Sequence, residues 1–147
     1  MNEVRLTRVY RFSSSHRLHS PQLSDEENCR IYGKCNNPYG HGHDYVLEVS
    51  FTGTPDPATG RLLPLPQLDA IVRRSVVEPM DRRDLNTEVA EFGGSLVPTT
   101  ENLALVVAGR LADAWQAGFA SSGVRLDRIR IHETPNNIFE ISLGELS

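Results

Sequence analysis

The sequence predicts an α+β layer: a four-stranded antiparallel sheet with two helices on one face, in the order ββααββ. Three observations carry this. Two extended segments open the chain, two stretches with helical apolar spacing follow, and two more extended segments close it around a Pro-Asn-Asn turn. At 147 residues the chain fits one domain, 1–147, with no repeat, low-complexity segment or linker.

Residues 4–16 alternate loosely through Val4, Leu6, Arg8, Tyr10 and Phe12, the period of a strand. Residues 18–40 hold Ser, Pro, Asn and Gly with little periodicity and read as a long loop, which in a compact domain is usually functional or disordered. Residues 43–52 form a second strand, and 53–60 are a turn rich in Gly and Pro. A first helix starts near Pro66, tolerated in an opening turn, with Leu68, Ile71, Val72 and Val76 at helical spacing; Pro79 ends it. A second follows Pro98-Thr99-Thr100, where either threonine can cap and Glu101 suits the positive end of the dipole. Leu103, Val106, Val107, Leu111 and Ala114 make its buried stripe, and Gly118 and Gly123 flank its exit. Strands at 124–133 and 138–143 close the chain, joined by Pro135-Asn136-Asn137. So small a sheet has edges that need covering, which points to an oligomer.

The formal charge is −4 with no basic run, which leaves no electrostatic footprint for nucleic acid or a membrane surface. No apolar run approaches a membrane span. The opening Met1-Asn2-Glu3-Val4-Arg5 lacks the pattern of a secretory leader. The expectation is a cytoplasmic protein whose two cysteines, Cys29 and Cys35, are reduced.

Three histidines concentrate the chemistry. Alternate strand residues point to one face, so His41 and His43 of the His-Gly-His triplet can aim at one point, and His16 ends a strand that can lie alongside. Three imidazoles with one vacant position is the arrangement of a catalytic zinc; chance placement on an exposed strand is the alternative. Cys35, six residues before His41, fits a fourth ligand, a general base or a small buried hydrophobe, and Lys34 beside it favours thiolate. Glu133 ends a strand on the face of Ile129 and Ile131, where it either pairs with two N–H donors of a ligand or reaches water. His132 then points to the opposite face. Asp81, after Pro79-Met80, reads in isolation as a solvated loop acid, and His19 as a spare ligand or a loop residue. Arg128 and Arg130 mark a solvated or subunit-facing side, and Trp115 packs the helix.

Read together, Phe12-Ser13-Ser14-Ser15-His16-Arg17-Leu18-His19-Ser20-Pro21, the run from Tyr32 through Gly33-Lys34-Cys35-Asn36-Asn37-Pro38-Tyr39-Gly40-His41-Gly42-His43 to Tyr45, the turn Asp56-Pro57-Ala58-Thr59-Gly60, then Thr99-Thr100-Glu101-Asn102 and Glu133-Thr134-Pro135-Asn136-Asn137 resemble the 6-pyruvoyl tetrahydropterin synthase family, of the tunnelling fold. They span nearly the whole chain, and the long run is most similar to the animal-type branch. The resemblance implies a zinc-dependent lyase that takes 7,8-dihydroneopterin triphosphate, eliminates triphosphate and moves protons along the side chain to give 6-pyruvoyl tetrahydropterin, on the way to tetrahydrobiopterin. It implies that His16, His41 and His43 hold zinc and that Cys35 abstracts a proton. Glu133 anchors the pterin, and Thr100 and Glu101 fall on the pterin-pocket segment. Trimers forming barrels, two of them stacked into a homohexamer with sites between subunits, are implied as well.

One departure stands out. The family usually has Asp-His where this chain reads Asp81-Arg82, and that histidine shares proton transfer with the cysteine and aspartate. Arginine stays protonated and is no general base near neutral pH. Arg82 can instead pair with Asp81, favour a thiolate at Cys35, or hold a phosphate. Two alternatives follow. One is 6-carboxytetrahydropterin synthase of the queuosine pathway, whose branch typically carries C-x-x-x-H-G-H, a shorter spacing than here. The other is a pterin-binding paralogue with weak or altered catalysis.

Overall fold

A computed structural model describes residues 2–144. Strand β1 (Val4–His16) leads through helix α1 (Asp25–Tyr32) and a 3-10 turn, Gly33–Asn36, into strand β2 (His41–Gly53). Helix α2 (Leu65–Val72) runs through a π turn, Arg73–Val77, into the short helix α3 (Glu78–Met80). Strand β3 (Arg83–Asp84) and the single turn α4 (Leu85–Glu88) precede the long helix α5 (Thr100–Phe119). Strands β4 (Arg125–Thr134) and β5 (Asn137–Ser142) form the closing hairpin.

The sheet has five strands in the order β3-β1-β2-β4-β5. It is mixed, not the four-stranded antiparallel sheet expected, because β3 runs parallel to β1 with Ser14 opposite Arg83. Two residues without apolar alternation give no periodic signal in a sequence. The chain is held there by Asp81 and Arg82, which both bond Ser13 on the edge of β1. The remaining pairs are antiparallel, and β1 lies against β2 over its whole length, His16 opposite His41.

Alternation sorts the faces as expected. Tyr10, Phe12, Tyr45, Leu47, Val49 and Phe51 point inward and are buried under the helices. Leu103, Val107, Leu111 and Trp115 of α5 pack into the same core as Leu126, Ile129 and Ile131 of β4, and the Trp115 indole donates to the Val124 carbonyl at 2.9 Å. Leu126 and Ile129 are three apart yet both buried, which strict alternation forbids. The ladder explains it: Phe51 faces Leu126 and Ser50 faces Arg128, so Asp127 is an extra residue in β4, a bulge.

Two expectations need correction. The 18–40 segment is not a plain loop. Ser24 caps α1 and Glu27 reaches back to the Ser24 amide, a capping box readable as Ser-x-x-Glu. Asn28, fully buried, bonds the backbone of Ser20, Leu23 and Ser24 and ties the segment together. Nor does Pro79 end the first helix, which continues through Met80. A helical proline lacks the amide that a carbonyl one turn earlier would use. Here the Ser75 carbonyl is taken by Arg110 from α5 at 3.2 Å.

Candidate metal centre and ligand pocket

The antiparallel register that sets His16 opposite His41 brings the three histidines together. Their rings meet edge to face with centroids 4.7, 4.8 and 5.0 Å apart, and one nitrogen from each lies within 4.8 Å of the others. His16 Nε2 and His41 Nε2 are 3.2 Å apart. Two ligands on one tetrahedral ion with bonds of 2.0–2.1 Å would be about 3.3 Å apart. His16 Nδ1 lies 2.8 Å from the Pro98 carbonyl, so Nδ1 carries the proton and Nε2 keeps its lone pair. Burial lowers the His16 pKa to about 4, and His41 and His43 push the same way. His41 is lowered too, by burial and then by His43. Three imidazoles whose ring nitrogens converge in this way can hold a metal ion.

The backbone around this cluster is clamped. The Asn86 side chain accepts from the Arg17 amide at 2.8 Å and donates to the Arg17 carbonyl at 2.9 Å, directly after His16. The Leu18 amide donates to the Cys35 carbonyl at 2.8 Å, which ties the cysteine turn to the end of β1. Gly40 (φ +73°) lets the loop cross β1, since a Cβ there would stand 3.1 Å from the His16 carbonyl oxygen. Cys35 is a free, half-buried thiol in the 3-10 turn.

Glu133 comes to the same side. It follows the buried Ile131, and its carboxylate accepts a short hydrogen bond from the buried Thr100 hydroxyl. Thr99, not Thr100, caps α5, which frees Thr100 for this contact. Glu101 is exposed in the first turn, and its side chain makes no hydrogen bond or ion pair among the described residues. Tyr45, two residues beyond His43, fills the space between. Its ring contacts Phe12 and His43. Its pKa is raised by burial, then by the Glu133 charge. The sequence reading passed over Tyr45, although it continues the alternation of His41 and His43.

Asp81 and Arg82 lie along the outer edge of β1. Asp81 Oδ1 accepts from the Ser13 amide at 2.9 Å, and no ion pair joins it to Arg82 among the described residues. Arg82 is exposed and lines a groove with Ser13, Gly42, His43, Asp44 and Asp84, so the groove reaches the histidine strand. Neither bonds Cys35 within this chain. The remaining candidates have ordinary partners. His132 pairs with Glu48 on the opposite face, His19 Nδ1 is 3.0 Å from Asn36 Nδ2, and the Cys29 thiol faces Asn36 Oδ1 at 3.6 Å.

A family model described as 6-pyruvoyl tetrahydropterin synthase matches residues 5–143. A 6-pyruvoyl tetrahydrobiopterin synthase of Poecilia reticulata is 46% identical over 133 residues, 90% of this chain and 86% of the relative. The Homo sapiens protein of that name is 39% identical over 136 residues, 92% of this chain and 89% of the relative. The structure of Caenorhabditis elegans 6-pyruvoyl tetrahydropterin synthase superposes with a TM-score of 0.86 at 39% identity, covering 97% of this chain and 96% of that one. On its residues, its geometry and these likenesses, the chain belongs to the 6-pyruvoyl tetrahydropterin synthase family, a family of enzymes.

Proposed function

We propose that this single-domain protein is a zinc-dependent carbon–oxygen lyase that converts 7,8-dihydroneopterin triphosphate to 6-pyruvoyl tetrahydropterin with elimination of triphosphate. The observation that carries the reading is the convergence of His16, His41 and His43 beside the Thr100–Glu133 pair. An all-imidazole set with room for another ligand suits zinc. When bound there, zinc supplies Lewis-acid polarisation of the substrate's side-chain oxygens, which acidifies the neighbouring C–H bonds.

The chain's own groups do the rest. Glu133 accepts two N–H donors of the pterin ring, held in place by the Thr100 hydroxyl. Glu101 extends that segment at the mouth of the site. Cys35 Sγ takes the proton from the substrate side chain. Asp81 belongs to the proton-transfer group of a neighbouring subunit's site, and Arg82 brings a fixed positive charge there in place of the family's histidine. Their place on the sheet edge supports this, because joining sheet edges between copies would carry them towards another copy's Cys35. A homohexamer built as two stacked trimers fits that arrangement. No helix among the described residues is long and apolar enough to cross a membrane, and the composition suits the cytoplasm.

The test is product identification by mass after incubating metal-loaded protein with dihydroneopterin triphosphate. Triphosphate released with the three-carbon side chain retained supports the proposal. Loss of the side chain assigns the 6-carboxytetrahydropterin synthase activity instead. Intact substrate despite measurable pterin binding supports a binding paralogue, the reading that Arg82 favours, since a guanidinium takes no proton.

A further inference from the structure

The buried Tyr45 hydroxyl makes no hydrogen bond of good geometry. The residue is 1% exposed, and its ring is fixed by Phe12 (centroids 5.2 Å apart, 25° between planes) and His43 (5.7 Å). Its hydroxyl is the one hydroxyl among the described residues that is buried without a partner. A phenylalanine would fill the same space without that penalty. The surroundings are polar. Thr100, Glu133 and Cys35 all lie close enough to act on the hydroxyl. Of these Thr100 acts on the phenol through hydrogen bonding, but its own hydrogen goes to Glu133, and no contact of the phenol oxygen has hydrogen-bond geometry. A buried orphan polar group in a candidate ligand site calls for a partner that the ligand brings.

We propose that Tyr45 is a specificity-determining binding residue whose phenolic O–H donates to an acceptor atom of the ring system held by Glu133. This rests on the reading of Glu133 as the anchor of a pterin. The 4-oxopteridine edge presents two N–H donors beside a carbonyl. Glu133 takes the donors, and Tyr45 supplies a hydrogen to the carbonyl oxygen. A 2,4-diaminopteridine puts an amino group where the carbonyl stood and, when neutral, has no hydrogen on N3, so Glu133 also loses a donor. The phenol oxygen can accept from that amino group, but the phenol hydrogen stays unpaired. Tyr45 therefore adds to the preference of Glu133 for the oxo ring.

The experiment titrates the protein, with whatever metal it retains, with neopterin and with 2,4-diaminopteridine, following ligand fluorescence. Wild type, Tyr45→Phe and Glu133→Gln are compared. Tyr45→Phe is expected to weaken neopterin binding about tenfold, the loss of one hydrogen bond. It should lower the preference for neopterin over the diamino ring by a similar factor, while melting at or above the wild-type temperature. Unchanged neopterin affinity, or an unchanged preference, in a Tyr45→Phe protein that still binds neopterin overturns the proposal and leaves the role of Glu133 standing. Failure of the wild type to bind neopterin, or indifference to Glu133→Gln, overturns the Glu133 reading and this proposal with it.

Discussion

The Arg82 amide donates to the Ser13 carbonyl at 2.6 Å while Arg82 itself sits at φ +59°, the one non-glycine residue with positive φ among those described. Histidine visits that region more readily than most side chains. The backbone at this turn thus suits the residue the family usually has there, and in this chain an arginine occupies it. Arg82→His is expected to keep the fold and raise turnover with dihydroneopterin triphosphate by about tenfold or more, since it restores an ionisable group beside Asp81. Arg82→Gly should relieve the left-handed strain, adding up to about 1 kcal/mol of stability, with no gain in rate. Steady-state kinetics and urea melts on both variants decide this.

His41→Ala should abolish metal retention while leaving a cooperatively folding protein. His41 is half-buried at the start of β2 and is not part of the apolar core, and the arrangement has the open valence of a catalytic site. Elemental analysis beside thermal unfolding checks both halves. Stoichiometric metal in the variant would refute the three-histidine centre.

Cys35→Ala should lower kcat about 100- to 10,000-fold, the range for a lost general base, while neopterin affinity changes little. Single-turnover kinetics and fluorescence titration separate the two effects. Equal losses in both would make Cys35 a binding residue.

Much of this site was legible in the sequence because it follows strand alternation. His41, His43 and, by pairing, His16 share a face, as do Ile129, Ile131 and Glu133. The sheet order was less legible. β3 is two residues placed by the Ser13 amide donating to Asp81, 68 positions away, and the Arg82 amide donating to the Ser13 carbonyl, contacts that leave no periodicity. Helix α1 was missed although Ser24 and Glu27 spell its start, because its eight residues bury only Asn28 and so show no apolar stripe. That Asp81 and Arg82 bond Ser13 on the sheet edge is a property of the folded chain and has no linear signature.

Asn28→Ala should destabilise the protein by about 2–3 kcal/mol, because it strands backbone groups of Ser20, Leu23 and Ser24 that the amide now satisfies. The same segment leads into the turn bearing Cys35, so kcat should fall as well. Denaturant melts and hydrogen exchange of residues 18–40 test this, with faster exchange there expected ahead of global unfolding.

Acid should weaken the protein partly through Asp69. Arg8 binds both of its carboxylate oxygens, at 3.0 and 2.8 Å, and the Tyr10 hydroxyl donates at 2.7 Å. Its pKa falls from 3.8 to about 2, chiefly through Arg8. A depressed carboxylate contributes stability that is complete above its unfolded value and disappears as pH falls through its folded one. Wild type should therefore lose stability between about pH 4 and pH 2 more steeply than Asp69→Asn, measured by urea melts across that window.

The extra residue at Asp127 sets the phase of everything after it in β4. Its backbone carbonyl accepts from Leu143 and its carboxylate holds Arg5, so the irregularity is anchored on both sides. Remove one amino acid there and Ile129, Ile131 and Glu133 would turn outward while His132 swung into the apolar layer, with scarcely any change in composition. Losing a single codon there would therefore do more harm to core and site together than changing a letter at one of the exposed positions around it.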